Sequence, residues 1–287
     1  LKYDKENIFH FWLQKSIFFS IPLKMFNFKN IIWSIHNNHP YSLQKKFGKL
    51  IVKINSLFSK SVPEAIIFCN NIALKNHSNF GNNKNRFIIN NPILFNSFRQ
   101  RNAVNININH IKFLVVANYH ECKNFNYLFK IFSNFKIKNF TIDMFGKNID
   151  FNNSKIIADI KYYNLENNVS LNGFQDTNYL YCNYDFSILV SYDESMPLAL
   201  LEAIASRTLC ISTNVGGISE FISKDFLINL DDHIDSYYKI KKIISKCSLN
   251  NNYHIYIQTH YNYIKENFDI NKIILSYKKL WTASNDT

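Results

Sequence analysis

Short, almost continuously apolar runs alternate along this chain with segments whose apolar residues recur at helical spacing. Strands that are apolar on both faces are covered on both faces, as in parallel sheets with crossover helices. Helical patterns such as Asn124–Phe135 and Leu198–Ser206 stand between the runs. The alternation predicts an α/β protein with parallel sheets, whose strands are Ile8–Trp12, Ile31–Ile35, Ala65–Cys69, Phe87–Ile89, Phe113–Ala117, Phe140–Phe145, Val169–Leu171, Ser187–Val190 and Leu209–Ser212.

A polar stretch near the end of the first third indicates a domain boundary. It runs from Asn90 to His110, contains Pro92 and has no clear hydrophobic period. Because strand–helix alternation continues on both sides, we expect two Rossmann-like doubly wound domains. The expected organisation is a first domain at 1–92, a linker at 93–110, a second domain at 111–265 and a C-terminal helix at 266–287 that crosses back.

The net charge is divided unequally along the chain. The 287 residues hold 33 Lys and Arg against 21 Asp and Glu, a formal charge of +12. Residues 1–110 hold 15 of the basic residues and three acidic ones, whereas residues 111–287 hold 18 of each. This asymmetry supports two domains. The charged fraction of 19% is too low for a coiled coil, and no apolar run is long enough to span a membrane.

The composition also limits the kinds of binding site and cross-link that the chain is expected to form. The five cysteines are far apart and form no Cys-x-x-Cys pair, which favours buried thiols over a disulfide framework or a zinc site. We expect no metal and no cofactor beyond a co-substrate. Excess positive charge suits a nucleic-acid-binding module, but no motif of that class is present, so this is a remote alternative.

One segment of the basic half has a pronounced helical pattern. Between Lys45 and Lys60, an apolar stripe recurs at helical spacing (Phe47, Leu50, Ile51, Ile54, Leu57 and Phe58). At about 100° per residue the lysines of this segment fall in an arc opposite the stripe. We expect the stripe to pack inward and the lysines to face solvent. An alternative is that an anionic membrane surface contacts the lysines, namely Lys45, Lys46, Lys49 and Lys53.

The segment that carries chemistry follows the run Ser187–Val190 and opens a helix. Pro197 suits the first helical turn, and free amides at a helix N-terminus bind phosphate. Glu194 and Glu202 have the spacing E-x7-E, and a carboxylate accepts hydrogen bonds from the adjacent hydroxyls of a sugar. By spacing alone, two surface or capping acids explain this pair equally well.

The surrounding residues resemble the signature of glycosyltransferase family 4, a family of retaining enzymes with the two-domain GT-B fold. The resemblance is strong over residues 169–222, which contain the E-x7-E segment and Gly216-Gly217. Weaker matches are the run around Lys123 and the strand that ends in His36. The first domain is shorter than the family's, so we expect it to be truncated.

The resemblance implies a role for each matching residue. Glu202 is expected to bind the ribose of a UDP- or GDP-linked sugar, and Lys123 to stabilise the leaving diphosphate. Glu194 and His36 are expected at the donor sugar. The donor-binding set is completed by Asn118, Ser195, Met196, Pro197, Leu198, Gly216 and Gly217.

The expected function is metal-independent transfer of a hexose, with retention, to a glycan or lipid-linked acceptor. The setting would be polysaccharide or glycolipid biosynthesis in the cytoplasm or at the inner face of the cytoplasmic membrane. Asn118 stands where the family usually has Arg, and Asn124 and Arg207 stand where it usually has Gly. The missing cation at Asn118 keeps an alternative open, a catalytically weak or inactive partner subunit.

Overall fold

The computed structural model describes residues 7–38, 46–101, 106–135, 139–248 and 252–283. It divides the chain into two compact units. Unit 1 comprises Leu1–Pro92, Glu194–Met196 and Ile270–Thr287, and unit 2 comprises Ile93–Asp193 and Pro197–Asp269. The described residues of 93–110, expected to be a linker, are grouped with unit 2.

Unit 1 has a four-stranded parallel sheet in the order β1-β2-β3-β4. Its strands are β1 (Phe9–Trp12), β2 (Ile31–Ile35), β3 (Ala65–Phe68) and β4 (Arg86–Ile88). Its helices are α1 (Leu13–Phe18), α2 (Ser20–Met25), α3 (Lys46–Phe58), α4 (Asn71–Asn76) and α10 (Ile270–Ala283).

Alternate residues of the unit 1 strands enter two different cores, as the two-residue period of a strand requires. Ile31, Trp33 and Ile35 pack with side chains of α1, α3 and α4 on one face of the sheet. Ile32 packs instead with Ile273 and Tyr277 of α10. The sheet is therefore covered on both faces, which explains why β2 is apolar at four of five positions and fully buried.

Unit 2 has a six-stranded parallel sheet in the order β10-β9-β8-β5-β6-β7. Its strands are β5 (Ile111–Val116), β6 (Phe140–Phe145), β7 (Val169–Leu171), β8 (Phe186–Leu189), β9 (Leu209–Thr213) and β10 (Leu227–Ile228). Its helices are α5 (Phe125–Phe132), α6 (Ser154–Tyr162), α7 (Leu198–Ala205), α8 (His233–Ser248) and α9 (Asn252–Asn267).

The strand order of unit 2 reverses beside β5. The chain proceeds from β5 to β6 and β7 on one side, and then returns to place β8 on the other side of β5. Ligands of open α/β sheets bind beyond the carboxyl ends of the strands at such a reversal. The predicted α/β class with two parallel sheets is confirmed, and each of the nine predicted strands lies within two residues of its expected position. The two-residue strand β10 was not predicted.

The expected inward packing of the α3 stripe is confirmed for Ile51 and wrong for Phe47, Leu50 and Leu57. Phe47, Leu50 and Leu57 are 72%, 53% and 77% exposed, while the buried residues of the helix are Ile51, Val52 and Asn55. Asn55 is buried because its Nδ2 donates to the backbone oxygen of Gln14 at 2.7 Å and to its Oε1 at 2.9 Å. The lysines Lys46, Lys49 and Lys53 face solvent as expected, and Lys45 lies outside the described residues.

None of the helices in the described part of the chain combines the length and the hydropathy that a membrane crossing requires.

A buried ion pair ties the start of unit 2 to its sheet. The Arg101 guanidinium donates to Oδ1 of Asp185 at 2.8 Å, and the backbone N–H of Lys112 donates to Oδ2 at 2.9 Å. Both charged side chains are nearly excluded from water, with 13% and 9% of their surfaces exposed. Breaking such a pair leaves an uncompensated charge in a low-dielectric environment.

We therefore expect Arg101→Gln to lower the free energy of unfolding of unit 2 by about 3 kcal/mol. Denaturant titration followed by circular dichroism measures the loss. The matched control is Arg99→Gln, because Arg99 is exposed and its backbone N–H, which the substitution retains, bonds Asn178. Equal losses in the two variants would contradict the assigned role of the ion pair.

Candidate functional site

A cavity of about 600 Å³ opens at the carboxyl edge of the unit 2 sheet. Its lining comes from the segments that follow β5, β6 and β7, and from the first turns of α7. Three of the predicted site residues, Asn118, Lys123 and Glu202, line this one cavity. The cavity therefore lies beside the strand reversal at β5.

Backbone hydrogen bonds fix the loops around the cavity. The N–H of Tyr192, after β8, donates to the carbonyl of Cys122 at 2.8 Å. Lys123 is the last residue of the short 3₁₀ turn Glu121–Lys123. His120 caps this turn, because its Nδ1 accepts a hydrogen bond from the N–H of Cys122. Asn124 follows with a φ of 52°, a left-handed conformation that Gly adopts freely and that Asn tolerates better than most residues. The turn therefore keeps its shape without the glycine.

Gly146 lets two backbone segments approach each other in the cavity wall. It has a φ of +149°, and a Cβ built on it would overlap the carbonyl oxygen of Ala117. The two segments are joined there, since the N–H of Ala117 donates to the carbonyl of Phe145 at 2.9 Å. No other residue type fits this position without moving the end of β5.

Glu202 projects from α7 beside Ala199, three residues earlier on the same face of the helix. The later part of the helix buries apolar side chains, among them Leu200, Leu201 and Ile204. Burial raises the pKa of the Glu202 carboxyl, while a hydrogen bond from Tyr181 opposes that rise. Only Oε2 accepts a hydrogen bond from a described residue, which leaves Oε1 for a ligand.

Tyr181 is a residue of the site that the sequence did not reveal. It is completely buried, and its hydroxyl donates to Oε2 of Glu202 at 2.7 Å. Burial and the adjacent carboxylate raise the pKa of Tyr181 well above its ordinary value, so the phenol remains a donor. Thr177, which lines the cavity, hydrogen-bonds the same phenol. A tyrosine next to a leucine in an apolar run gives no sequence signal for this contact.

Asn118 is exposed in the cavity wall and already holds one partner. Its Oδ1 accepts from the backbone N–H of Lys147 at 2.9 Å, so its Nδ2 is the group that can donate to a ligand. The Lys147 ammonium lies 6.0 Å from the centroid of the Phe174 ring, another part of the cavity wall. A second cation therefore lies near the position where the family's arginine is replaced by Asn118.

The remaining unit 2 residues of the predicted donor site lie on two other loops. Pro197 is the N-cap residue of α7 and Leu198 is the first helical residue, so the helix begins at this segment as expected. Gly216 and Gly217 begin a 3₁₀ turn after β9, with a φ of 53° at Gly216. None of these four residues is part of the lining of the cavity.

Unit 1 contains the other predicted residues. Ser195 Oγ lies 2.9 Å from the Cys69 thiol, and Asn70 Nδ2 donates to the backbone oxygen of Ser195 at 2.8 Å. Asn91 Nδ2 donates to the backbone oxygen of Met196 at 3.1 Å, which fixes the segment that also holds Glu194.

His36 follows β2 in unit 1 and stacks on Trp12, with ring centroids 4.9 Å apart. Burial lowers the pKa of His36, and a hydrogen bond with Asn91 partly opposes this shift. Its Nε2 is buried without a hydrogen-bond partner among the described residues. The pKa of neighbouring His10 is lowered to about 4 by burial, and further because protonation of both His10 and His36 would place two positive charges side by side. Both imidazoles are therefore neutral at physiological pH.

Among the described residues, no group of three or more His, Cys, Asp and Glu side chains is arranged to hold a metal ion.

The cavity, with a carboxylate and an ammonium, lies where open parallel α/β sheets bind their ligands, beyond the strand ends at the strand reversal. The sequence profile of the family described as glycosyl transferases group 1 matches residues 96–260, more than half of the chain. The protein belongs to this family, and Asn118, Lys123 and Glu202 lie within the matched region.

Solved structures with a similar fold include three bacterial proteins. HepE of Anabaena, in complex with UDP and glucose, has a TM-score of 0.78 and 13% identity over 96% of this chain and 78% of its own. Sucrose-phosphate synthase of Thermosynechococcus elongatus has a TM-score of 0.79 and 18% identity, covering 96% and 72%. A TarM variant of S. aureus, in complex with Fondaparinux, alpha-GlcNAc-glycerol and UDP, has a TM-score of 0.74 and 20% identity.

The likeness to TarM covers 92% of this chain, which spans 54% of the length of TarM. At these identities the similarities show a shared fold. No curated protein matches the chain significantly in sequence.

The glycine at the cavity wall gives a test of the geometry. We expect Gly146→Ala to lower the free energy of unfolding by at least about 3 kcal/mol, since backbone strain and a clash with a carbonyl add together. The control is Gly173→Ala, because Gly173 also has a positive φ, +68°, but a Cβ there meets no atom within 4 Å. Denaturant titrations compare the variants, and a loss at Gly146 no larger than at Gly173 would contradict the close approach.

Proposed function

We propose that the protein transfers a hexose from a nucleotide diphosphate sugar to a glycan or lipid-linked acceptor. The observation that carries this proposal is the cavity in which Glu202, Lys123 and the start of α7 meet, inside the region that matches the family. A carboxylate suits the ribose hydroxyls, and an ammonium suits a diphosphate. HepE and TarM, which share the fold, were solved with UDP.

Transfer breaks the bond between the anomeric carbon and a diphosphate oxygen and forms a bond from that carbon to an acceptor oxygen. Negative charge develops on the departing diphosphate, and one of its oxygens takes the proton of the acceptor hydroxyl. In the proposed mechanism, Lys123 stabilises that charge, and the Nδ2 group of Asn118 donates a hydrogen bond to it. Because an ammonium and a hydrogen-bond donor can stabilise a leaving diphosphate, we propose that transfer requires no metal.

The donor sugar completes the proposed site. We propose that His36, Glu194 and the backbone of Ser195, Met196, Pro197 and Leu198 bind the hexose, and that Gly216 and Gly217 lie close to the donor. Neutral His36 suits this role, because a lowered pKa lets its imidazole accept a hydrogen bond from a sugar hydroxyl. Retention of configuration at the anomeric carbon belongs to the same proposal and rests on the family signature around Glu194 and Glu202.

We propose that the acceptor belongs to polysaccharide or glycolipid biosynthesis, and that the protein works in the cytoplasm or peripherally at the inner face of the cytoplasmic membrane. The positive charge of residues 1–110 supports an anionic or lipid-linked acceptor rather than a neutral free sugar. The substitution of Asn118 for the family's usual arginine favours a second candidate function, a weakly active or inactive partner subunit.

We expect Lys123→Ala to lower kcat by about 10²–10³-fold, because it removes a preorganised charge at the leaving group. Release of UDP or GDP from a panel of UDP- and GDP-sugars, with acceptor and with EDTA present, measures the effect. Lys161→Ala, on the exposed surface of α6, is the control and should retain full activity. Equal activity of Lys123→Ala and the wild type would contradict the assignment, and nucleotide binding without turnover would favour the partner subunit.

Because Tyr181 hydrogen-bonds Glu202, we expect a substitution of Tyr181 to weaken only the binding of the ribose. We expect Tyr181→Phe to weaken binding of the preferred nucleotide, UDP or GDP, about tenfold, since the carboxylate loses a charge-assisted hydrogen bond worth about 1.4 kcal/mol. Binding of the 2′,3′-dideoxy nucleotide should change less than twofold. Isothermal titration calorimetry measures both affinities.

The control for this comparison is Tyr184→Phe. Tyr184 is also buried and donates to a carboxylate, Asp143 Oδ2 at 2.8 Å, but neither residue lines the cavity. Tyr184→Phe should leave both affinities unchanged. If Tyr181→Phe weakens the dideoxy nucleotide as much as the ribonucleotide, Tyr181 acts on the fold and not on the ribose, and this part of the mechanism fails.

A further inference from the structure

Helix α3 of unit 1 has three distinct faces. At about 100° per residue, the buried residues Ile51, Val52 and Asn55 occupy one arc of about 100°. The exposed half of the helix is divided lengthwise into two further stripes. The apolar stripe covers about 100° and consists of Phe47, Leu50, Ile54, Leu57 and Phe58. The basic stripe covers about 60° next to it and consists of Lys46, Lys49, Lys53 and Lys60.

Packing determines the buried face, and among the described residues of unit 1 nothing covers Phe47, Leu50 and Leu57, which are more than half exposed. Val52 belongs to the core beneath the sheet, and Asn55 bonds Gln14 of α1. Rotation of the helix to bury Phe47 or Leu57 would expose Val52 and break the two hydrogen bonds of Asn55. The outward orientation of the stripe is therefore a property of the packed unit.

Further apolar side chains of unit 1 are exposed at the two ends of α2. α1 packs against α3, and α2 follows α1 after the single residue Phe19. Phe19, Met25 and Phe26 are 70%, 81% and 68% exposed. Large apolar side chains with this degree of exposure mark an interaction surface when several lie on neighbouring elements.

The charge around the apolar stripe is of one sign. Between residues 7 and 92 the sequence has eleven Lys and Arg and a single acid, Glu64. Glu64 already pairs with Lys24 of α2 at 3.1 Å. Lys46, Lys49 and Lys53 face solvent, and none of them forms an ion pair with a carboxylate of a described residue.

A partner that covers both stripes must present anionic groups and an apolar surface within a few ångströms of each other. A nucleic-acid backbone would neutralise the lysines but would leave Phe47 and Leu57 in water. An anionic bilayer offers phosphate groups above an acyl boundary, which is the arrangement that interfacial helices with one apolar and one lysine-rich face recognise.

We infer that the α1–α3 surface of unit 1 docks on an anionic lipid bilayer, with Phe47, Leu50 and Leu57 inserted at the acyl boundary. Lys46, Lys49 and Lys53 lie at the level of the lipid phosphates. The inference concerns unit 1 alone and does not depend on the proposed sugar transfer. It differs from a purely electrostatic contact, because the apolar side chains contribute as much as the lysines.

Flotation of the whole chain with vesicles tests the inference. Wild-type protein should float with vesicles of phosphatidylcholine and phosphatidylglycerol in a 7:3 ratio and remain at the bottom with pure phosphatidylcholine. Phe47→Ser with Leu57→Ser should lower the partition coefficient on the anionic vesicles at least tenfold. Lys49→Gln with Lys53→Gln should lower it about 25-fold, since each charge contributes about 1 kcal/mol, or about fivefold.

Matched controls come from unit 2. Phe151 and Ile255 are 78% and 61% exposed, so Phe151→Ser with Ile255→Ser removes comparable apolar surface. Lys155→Gln with Lys161→Gln removes two exposed lysines of α6. Both control variants should float like the wild type. Thermal unfolding and affinity for UDP or GDP should be unchanged in all four variants, which separates a loss of docking from a loss of folding or of donor binding.

Three outcomes overturn the inference. The first is a wild-type chain that does not float with anionic vesicles. The second is an equal loss of flotation in the unit 2 controls. The third is a wild-type dimer in light scattering that Phe47→Ser with Leu57→Ser converts to a monomer while flotation is unchanged, since the stripe would then be covered by a second copy.

Discussion

The parallel pairing of β5 with β6 and β8 is the constraint on which the candidate site depends. Parallel strands deliver every following loop to the same edge of the sheet, and β5 lies where the chain changes direction. The loop with Lys123, the turn at Gly146 and the start of α7 are therefore brought together by backbone geometry. The side chains at this edge add chemistry to a cavity whose position the strand order has already determined.

Two residues that depart from the family pattern show how that geometry survives substitution. Asn124 and Arg207 stand at positions where the family usually has glycine, and both have positive φ values, 52° and 59°. Arg207 also stacks on Tyr261 at 4.9 Å and donates from Nε to Gln100 at 3.0 Å. Contacts of this kind offset the strain of about 1–2 kcal/mol that a side chain meets in the left-handed region. The loops therefore keep their shape although the glycines are absent.

The sequence predicts the strands well because both faces of each sheet are buried, which makes the strands almost continuously apolar. The same analysis fails at α3. Periodicity shows which residues share a face of a helix, but the packed face is chosen by tertiary contacts, here by Val52 and Asn55 rather than by the larger Phe47 and Leu57. β10 was missed because two residues are too short to show a period.

The site was predictable only in part for a similar reason. Asn118, Lys123 and Glu202 are separated widely in sequence, yet each stands at a recognisable place in the family pattern, and the structure brings them to one cavity. Tyr181 lies 21 residues from Glu202, and its contact depends on the packing of the 3₁₀ turn Tyr181–Asn183 against α7. No local pattern in the sequence records that packing.

The charge of the chain is best explained unit by unit. Residues 111–287 carry equal numbers of acidic and basic residues, so the proposed binding of a diphosphate there depends on a few placed groups and not on a general positive field. The whole formal excess lies in residues 1–110, where large apolar side chains stand exposed among the lysines of α3. A nucleic-acid surface is polar throughout, whereas this surface is as apolar as it is basic. The combination of the two properties, more than the charge alone, argues for lipid as the partner of unit 1.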